Sequence, residues 1–281
     1  MIIDFHVHIF PESICSDREC FFPGESGFQL LYESPRARIV TVERLIESMD
    51  SEAVDRSVVF GFPWKSAEIF RRHNDYILES VARHRGRLIG FCCFDAAHPE
   101  AAKEAERCLK NGLSGVGELA FYDSGLDEEA LSRLDPVLSV CREHDCPVLI
   151  HTNEPVGHAY PGKAPIRLGQ IYAMAGRFPQ NRFVLAHWGG GLFFYHLMKK
   201  EIQETLGNVW YDTAASPYLY RSDIWGVAAR TAGLDRILFG SDFPLLSPSR
   251  YFKDMIEGGM TEAERRRVCG ENATRLLAVE T

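Results

Sequence analysis

The feature that most constrains this chain is an alternation of eight short apolar runs with longer stretches of helical spacing. The runs are Ile2–His8, Ser57–Gly61, Leu88–Phe94, Val116–Ala120, Val148–His151, Phe183–His187, Val209–Thr213 and Ile237–Ser241. Most are unbroken Val, Ile, Leu and Phe, the pattern of parallel strands buried on both faces. The spacing predicts helices over Val42–Ser51, Ala67–His84, Pro99–Asn111, Asp127–His144, Ile166–Phe178, Gly191–Leu206, Ser222–Ala232 and Thr261–Ala278. Gly86 and Gly112 stand where the second and third of these would stop. Eight strand–helix units are the count of a (β/α)8 TIM barrel. A doubly wound open sheet shares the alternation, but it gathers its chemistry at one switch point. A barrel spreads it over the C-terminal ends of many strands.

The polar residues decide between the two. His6 and His8 are two apart on a strand, so both imidazoles leave one face and form a ready pair for a divalent metal. Glu118 ends the fourth run, His151 the fifth, His187 the sixth, and Asp242 follows the eighth. Singly, each has an ordinary reading: a hydrogen-bonded histidine, a solvated glutamate, an Asx turn before Pro244. Six metal-competent side chains at the same end of five strands point instead to a barrel with its active face there. There are no repeats, low-complexity tracts or linkers, so residues 1–281 are assigned to one domain. The segment 9–41 is too long for a plain connection and is expected to be a lid or a substrate-contacting insertion.

Composition excludes some partners. The formal net charge of −8 argues against polymeric nucleic acid and anionic membranes as partners. No stretch approaches the roughly 20 apolar residues needed to span a bilayer. The opening Met1-Ile2-Ile3-Asp4 has no basic n-region, and the eight cysteines are scattered without a C-x-x-C pair. Reduced thiols and a cytoplasmic location are expected, with a small-molecule substrate and with homo-oligomers admitted.

Taken in order, Asp4-Phe5-His6-Val7-His8, His151, His187-Trp188-Gly189-Gly190 and Gly240-Ser241-Asp242-Phe243-Pro244 resemble the amidohydrolase superfamily. The resemblance is to its amidohydrolase-related branch, which includes aminocarboxymuconate-semialdehyde decarboxylase and related lactonases and decarboxylases. It runs along nearly the whole chain. It implies that His6, His8, His151 and Asp242 surround a divalent metal, and that His187 ligates a second ion or polarises substrate or water. Zinc is the first expectation, with manganese, iron, nickel and magnesium also admitted, as one or two ions. Glu118 stands where many binuclear members carry a carboxylated lysine. It is similar to deoxyribonuclease-like members in which a glutamate can bridge two metals; a supporting or substrate contact is the other reading.

On that ground the expected activity is metal-dependent hydrolysis of a C–O or C–N bond in a small polar or carboxylated molecule. Metal-activated water would attack, with Asp242 as general base and then acid. The alternative is non-oxidative decarboxylation of an aromatic or enoic acid, with Asp242 or His187 as proton donor. Phosphodiester hydrolysis is a third reading and a non-catalytic metal-binding barrel a fourth, against which Asp242 argues. The Gly- and Pro-rich loop Thr152–Lys163 offers His158, Tyr160 and Lys163 as substrate contacts, and Trp188, Tyr218 and Arg221 are weighed with them. Gly189-Gly190-Gly191 is expected to permit a turn, and the absence of G-x-G-x-x-G and Walker patterns leaves no nucleotide cofactor expected. His73, His84, His98, His144 and His196 fall away from the strand ends and are read as surface or core.

Overall fold

In the computed structural model, which describes residues 1–279, the apolar runs become eight parallel strands. They are β1 (Ile3–His8), β2 (Arg56–Phe60), β3 (Leu88–Cys92), β4 (Gly115–Leu119), β5 (Pro147–Ile150), β6 (Arg182–Leu185), β7 (Val209–Asp212) and β8 (Ile237–Leu238). Each pairs with the next in sequence, so the sheet order is β1 through β8 without a switch point. β8 is only two residues long, and the ring closes through the backbone beyond it. Phe5 N donates to Phe239 O (2.7 Å), Asp242 N to His6 O (3.0 Å) and His8 N to Phe243 O (2.9 Å). The fold is a single-domain TIM barrel, and the open-sheet alternative is excluded.

Two bodies of apolar side chains hold it. One fills the interior with Ile3, Phe5, Val58, Phe60, Ile89, Phe91, Leu149, Val184, Ala186 and Leu238. Phe5 and Phe91, from strands that are not neighbours, meet edge to face across the lumen at 5.8 Å. Ala273 and Leu276, from the helix Asn272–Leu277, close the end where the strands begin. The larger body lies between strands and surrounding helices. With the strand-start end plugged, only the C-terminal face is left for chemistry.

Most helices fall where their spacing places them, with three departures. The expected helix Gly191–Leu206 is a tight turn over His187–Leu197 followed by a short helix Lys200–Thr205. Ser222–Ala232 and Thr261–Ala278 are helical but pass through π-turns at Ala229–Gly233 and Arg267–Glu271. A helix at Pro248–Glu257 was not expected, although Pro248 in its first turn and the buried pair Tyr251 and Met255 are its signature. The segment 9–41 holds two short helices, Glu12–Ser16 and Ser26–Tyr32, and packs through aromatic rings, with Phe28 and Trp64 centroids 4.3 Å apart. Among the described residues no helix is long and apolar enough to cross a membrane.

Gly115 marks how tightly the lumen is filled, since a Cβ there would lie 2.5 Å from the Phe91 ring. Gly115→Ala should therefore destabilise the fold by about 1–3 kcal/mol through overpacking. The loss should shrink in a Phe91→Leu background. Denaturant melts of the two single variants and the double variant check this.

Candidate active site

Two irregularities aim the site. The pairing of β1 with β2 slips by one residue between Asp4 and Val7, and that of β4 with β5 between Val116 and Leu119. A bulge re-aims the side chains that follow it. Phe5 belongs to the lumen cluster, yet the next ring, His6, also faces inward, 5.1 Å from Phe60. Regular alternation would have sent one of the two outward. His8 keeps the same face as His6, with ring centroids 5.2 Å apart. On β4 the irregular step falls at Gly117 (φ 132°), and it delivers Glu118, 6% exposed, into the same space.

The other members come from just beyond the strands. His151 follows β5, and its N–H donates to Leu119 O (2.8 Å). His187 follows β6 and opens a left-handed run that continues through Trp188, Gly189, Gly190 and Gly191. Gly190 (φ 61°) lies so close to the Asn153 backbone that a Cβ would stand 2.2 Å from its carbonyl oxygen. The glycines do permit the turn, and the turn points His187 inward. Asp242 (φ 62°) follows β8 on the closing segment.

Glu118 sits at the centre. Its Oε2 is 3.7 Å from both His6 Nε2 and His8 Nε2, and Asp242 Oδ1 is also 3.7 Å from each of those nitrogens. The other oxygen, Oε1, lies 3.0 Å from His151 Nδ1 and 3.6 Å from His187 Nε2. Two cradles thus share one carboxylate: His6, His8 and Glu118, and Glu118, His151 and His187, each with ligand atoms within 4.8 Å of one another.

The far nitrogen of every imidazole is anchored on an oxygen that can only accept. His6 Nδ1–H donates to Asp212 Oδ2 (2.8 Å), His8 Nδ1–H to Gly61 O (3.1 Å) and His187 Nδ1–H to Ala214 O (3.0 Å). His151 Nε2–H donates to Gly162 O (2.9 Å). Each tautomer is thereby fixed with its lone pair toward Glu118. His6 Nε2 is buried and has no hydrogen-bond partner among the described residues. Lone pairs and carboxylates facing one another out of water require positive charge between them. The electrostatics agree. Burial alone would lower the His6 pKa, but Asp212, Glu118 and Asp242 together push it up to about 10. Burial would raise Glu118, yet His6, His151 and His187 hold it well below the usual carboxylate range. The cage suits a proton on His6 or a metal ion in its place, and the donor set of imidazoles with carboxylates fits a divalent cation.

Asp212 escaped sequence reasoning. Besides the His6 ring it accepts from the backbone N–H groups of His187 and Ala214, both at 3.0 Å, so one buried carboxylate orients the His6 imidazole and fixes the backbone that carries His187. Its signal was an acid closing an otherwise apolar strand run. Asp4, near the start of β1 and part of the motif quoted above, accepts from Ser241 N (2.8 Å) and from the Ser241 hydroxyl, and burial raises its pKa to about 7. It ties β1 to the segment that carries Asp242.

Above the cluster opens a cavity of about 790 Å³ whose floor includes His8, Glu118, His151, His187 and Asp242. His158 and Tyr160 line it, as does Tyr218. Lys163 does not: its ammonium is held by Glu154 Oε1 (3.0 Å) within the loop. Trp188 is corrected as well. It is fully buried, donates to Ser216 Oγ (2.8 Å) and stacks edge to face on Trp225, so it serves the core. Arg221 pairs with Asp223 outside the cavity. Tyr32, Arg38, Phe62 and Tyr122 line the cavity without having been singled out; Tyr32 and Arg38 come from the segment 9–41.

Asp212→Asn should leave a folded chain with divalent-metal affinity about 10–100-fold weaker, the usual effect of losing a partner behind a ligating histidine. Competition against a chromophoric chelator measures this. Affinity within twofold of the parent would mean that Asp212 does not set the His6 tautomer.

Residues 3–279 match the family model described as amidohydrolase, and the chain belongs to that family. It is 23% identical over 321 residues to a gamma-resorcylate decarboxylase of Polaromonas sp. strain JS666, with 96% of each chain covered. A crystal structure of a dihydroxybenzoic acid decarboxylase from Polaromonas sp. JS666, with bound manganese and 2-nitroresorcinol, superposes with a TM-score of 0.71 at 20% identity. It covers 99% of this chain and 96% of its own. A 5-carboxyvanillate decarboxylase from Novosphingobium aromaticivorans, with manganese and 4-hydroxy-3-methoxy-5-nitrobenzoic acid, gives a TM-score of 0.77 at 17% identity, covering 99% and 96%. These relatives overturn the expectation of hydrolysis. A carboxylate among imidazoles organises a cation but does not choose the reaction, so the step from Glu118 to hydrolysis fails. Both of these crystal structures hold manganese, so a divalent ion is supported and zinc is not singled out.

Proposed function

We propose that this amidohydrolase-family chain is a divalent-metal-dependent, non-oxidative decarboxylase of an aromatic or enoic acid. The observation that carries this reading is the cavity. It sets aromatic walls from Tyr32, Phe62, Tyr122 and Tyr218 over a floor of imidazoles and carboxylates. Such a site suits a flat unsaturated body with its carboxyl end down. The likeness to decarboxylases along the full length supports it. His6, His8, Glu118, His151 and Asp242 would hold the ion, with His187 completing a second position beside Glu118, and manganese is the ion we favour. When bound there, a divalent ion supplies Lewis acidity to the oxygen groups of the substrate.

The chain's own residues do the rest. The aromatic walls exclude water from the ring and hold its plane fixed over the floor. Breaking the bond to the carboxyl carbon leaves an electron pair on the substrate carbon, and that carbon must receive a proton. Asp242, at the floor of the cavity, is the donor, with His187 as the other candidate. One proton is consumed, one C–C bond breaks, one C–H bond forms and carbon dioxide departs. Solvent then reprotonates the donor. Arg38, which lines the cavity and is exposed, offers a cation for a polar group at the outer end of the substrate.

A panel of hydroxylated benzoic and enoic acids tests the reading with manganese-loaded protein. Carbon dioxide should appear in equal amount to product, and product formed in deuterium oxide should carry one solvent deuteron at the vacated carbon. Asp242→Asn should lower kcat by about 10²–10⁴-fold, the range of a lost general acid. Turnover of an acid with incorporation of water oxygen and no carbon dioxide would sink it.

A further inference from the structure

His73, on the helix Ala67–Arg83, is 1% exposed and belongs to neither the cavity nor the histidine cluster. Both ring nitrogens are committed. Nε2–H donates to Ile9 O at 2.7 Å, which leaves Nδ1 to accept from Trp64 Nε1–H at 2.9 Å. Burial holds its pKa down to about 4, so the ring stays neutral in this tautomer. Its face lies against Gly61, where a Cβ would stand 2.7 Å from the ring.

Both of these neighbours bear on His8. Ile9 is the next residue in the chain, and Gly61 carries the carbonyl that accepts His8 Nδ1–H at 3.1 Å. Ile9 N also donates to Phe60 O at 3.2 Å, so the ends of β1 and β2 are joined at this point. A phenylalanine of similar size would fill the same space. It would leave Ile9 O and Trp64 Nε1 unpartnered and would free the strand ends to shift. One ring therefore pins the backbone that carries His8 and packs on the residue that anchors it.

We propose that His73 is a positioning residue: through Ile9 and Gly61 it fixes the direction in which His8 Nε2 faces Glu118 and Asp242. The inference rests on the reading of that cluster as a metal site, and not on the reaction assigned to it.

The test measures manganese affinity of the full chain, by the electron paramagnetic resonance signal of free ion, for the parent, His73→Phe, His8→Ala and the double variant. Melting of the metal-free proteins runs alongside. His73→Phe should weaken binding by about 10-fold, the low end of what losing a direct outer partner of a ligating histidine does, because His73 acts one step further out. In the His8→Ala background the same change should matter less than twofold, because it acts through His8. A merely structural histidine would give the same factor in both backgrounds, and that result overturns the proposal. So does affinity within twofold in folded His73→Phe. If that variant does not fold, Trp64→Phe removes the donor to Nδ1 and leaves His73 and its bond to Ile9 O in place, with melting of the metal-free variant reporting the lost indole packing. It should show a smaller loss that again vanishes without His8, and an unchanged affinity overturns the proposal. Manganese binding without carbon dioxide release from any acid would defeat the decarboxylase reading and leave His73 standing. A parent that binds no divalent ion would defeat both.

Discussion

A carboxylate buried among four imidazoles is the constraint on which the rest of the structure depends. Glu118 is out of water, and the nitrogens around it turn their lone pairs toward it or toward Asp242. Such a cluster is unfavourable by itself and persists only where the surrounding fold holds every member in place. Bulges in β1 and β4 aim His6 and Glu118, a left-handed turn aims His187, and Asp212 holds the His6 ring and the His187 backbone from behind. The barrel supplies five separate strand ends to bring these groups to one place, which one helix or one loop cannot do.

Much of this was legible in the sequence, for physical reasons. Strands buried on both faces must be apolar throughout, so their positions showed as unbroken runs, and the polar residues at their ends stood out against them. The residues that were missed carry no such contrast. Asp212 closes a strand run that ends Trp210-Tyr211-Asp212, and its importance comes from accepting three N–H groups that only the folded chain assembles. Trp188 was misplaced for the opposite reason. It adjoins His187, but the left-handed backbone turns consecutive residues in different directions and sends the indole to the core. Lys163 looked like a free cation because the glutamate that neutralises it lies nine residues away across a folded loop.

Reaction type was the least legible property. A site of imidazoles and carboxylates around a cation is compatible with activating water or with withdrawing electrons from a bound acid, and the ligands are the same for both. The relatives speak for the second, and the cavity above the ligands supports the same reading. Its aromatic lining comes from the segment 9–41, from the residues after β2 and β4, from the loop after β5 and from the turn after β7. Those loops have no periodic pattern to read, so this part of the function emerges only from the assembled structure.

The packed lumen has a further consequence. Phe5, Phe91 and their neighbours fill the barrel beneath the site, and the last helix closes its far end, so nothing can pass through the axis. Whatever enters must leave by the mouth it came in. Under the proposed decarboxylation, an acid seated with its carboxyl group on the floor would release the gas underneath the body it has just parted from. The larger product would then lie between the gas and the mouth.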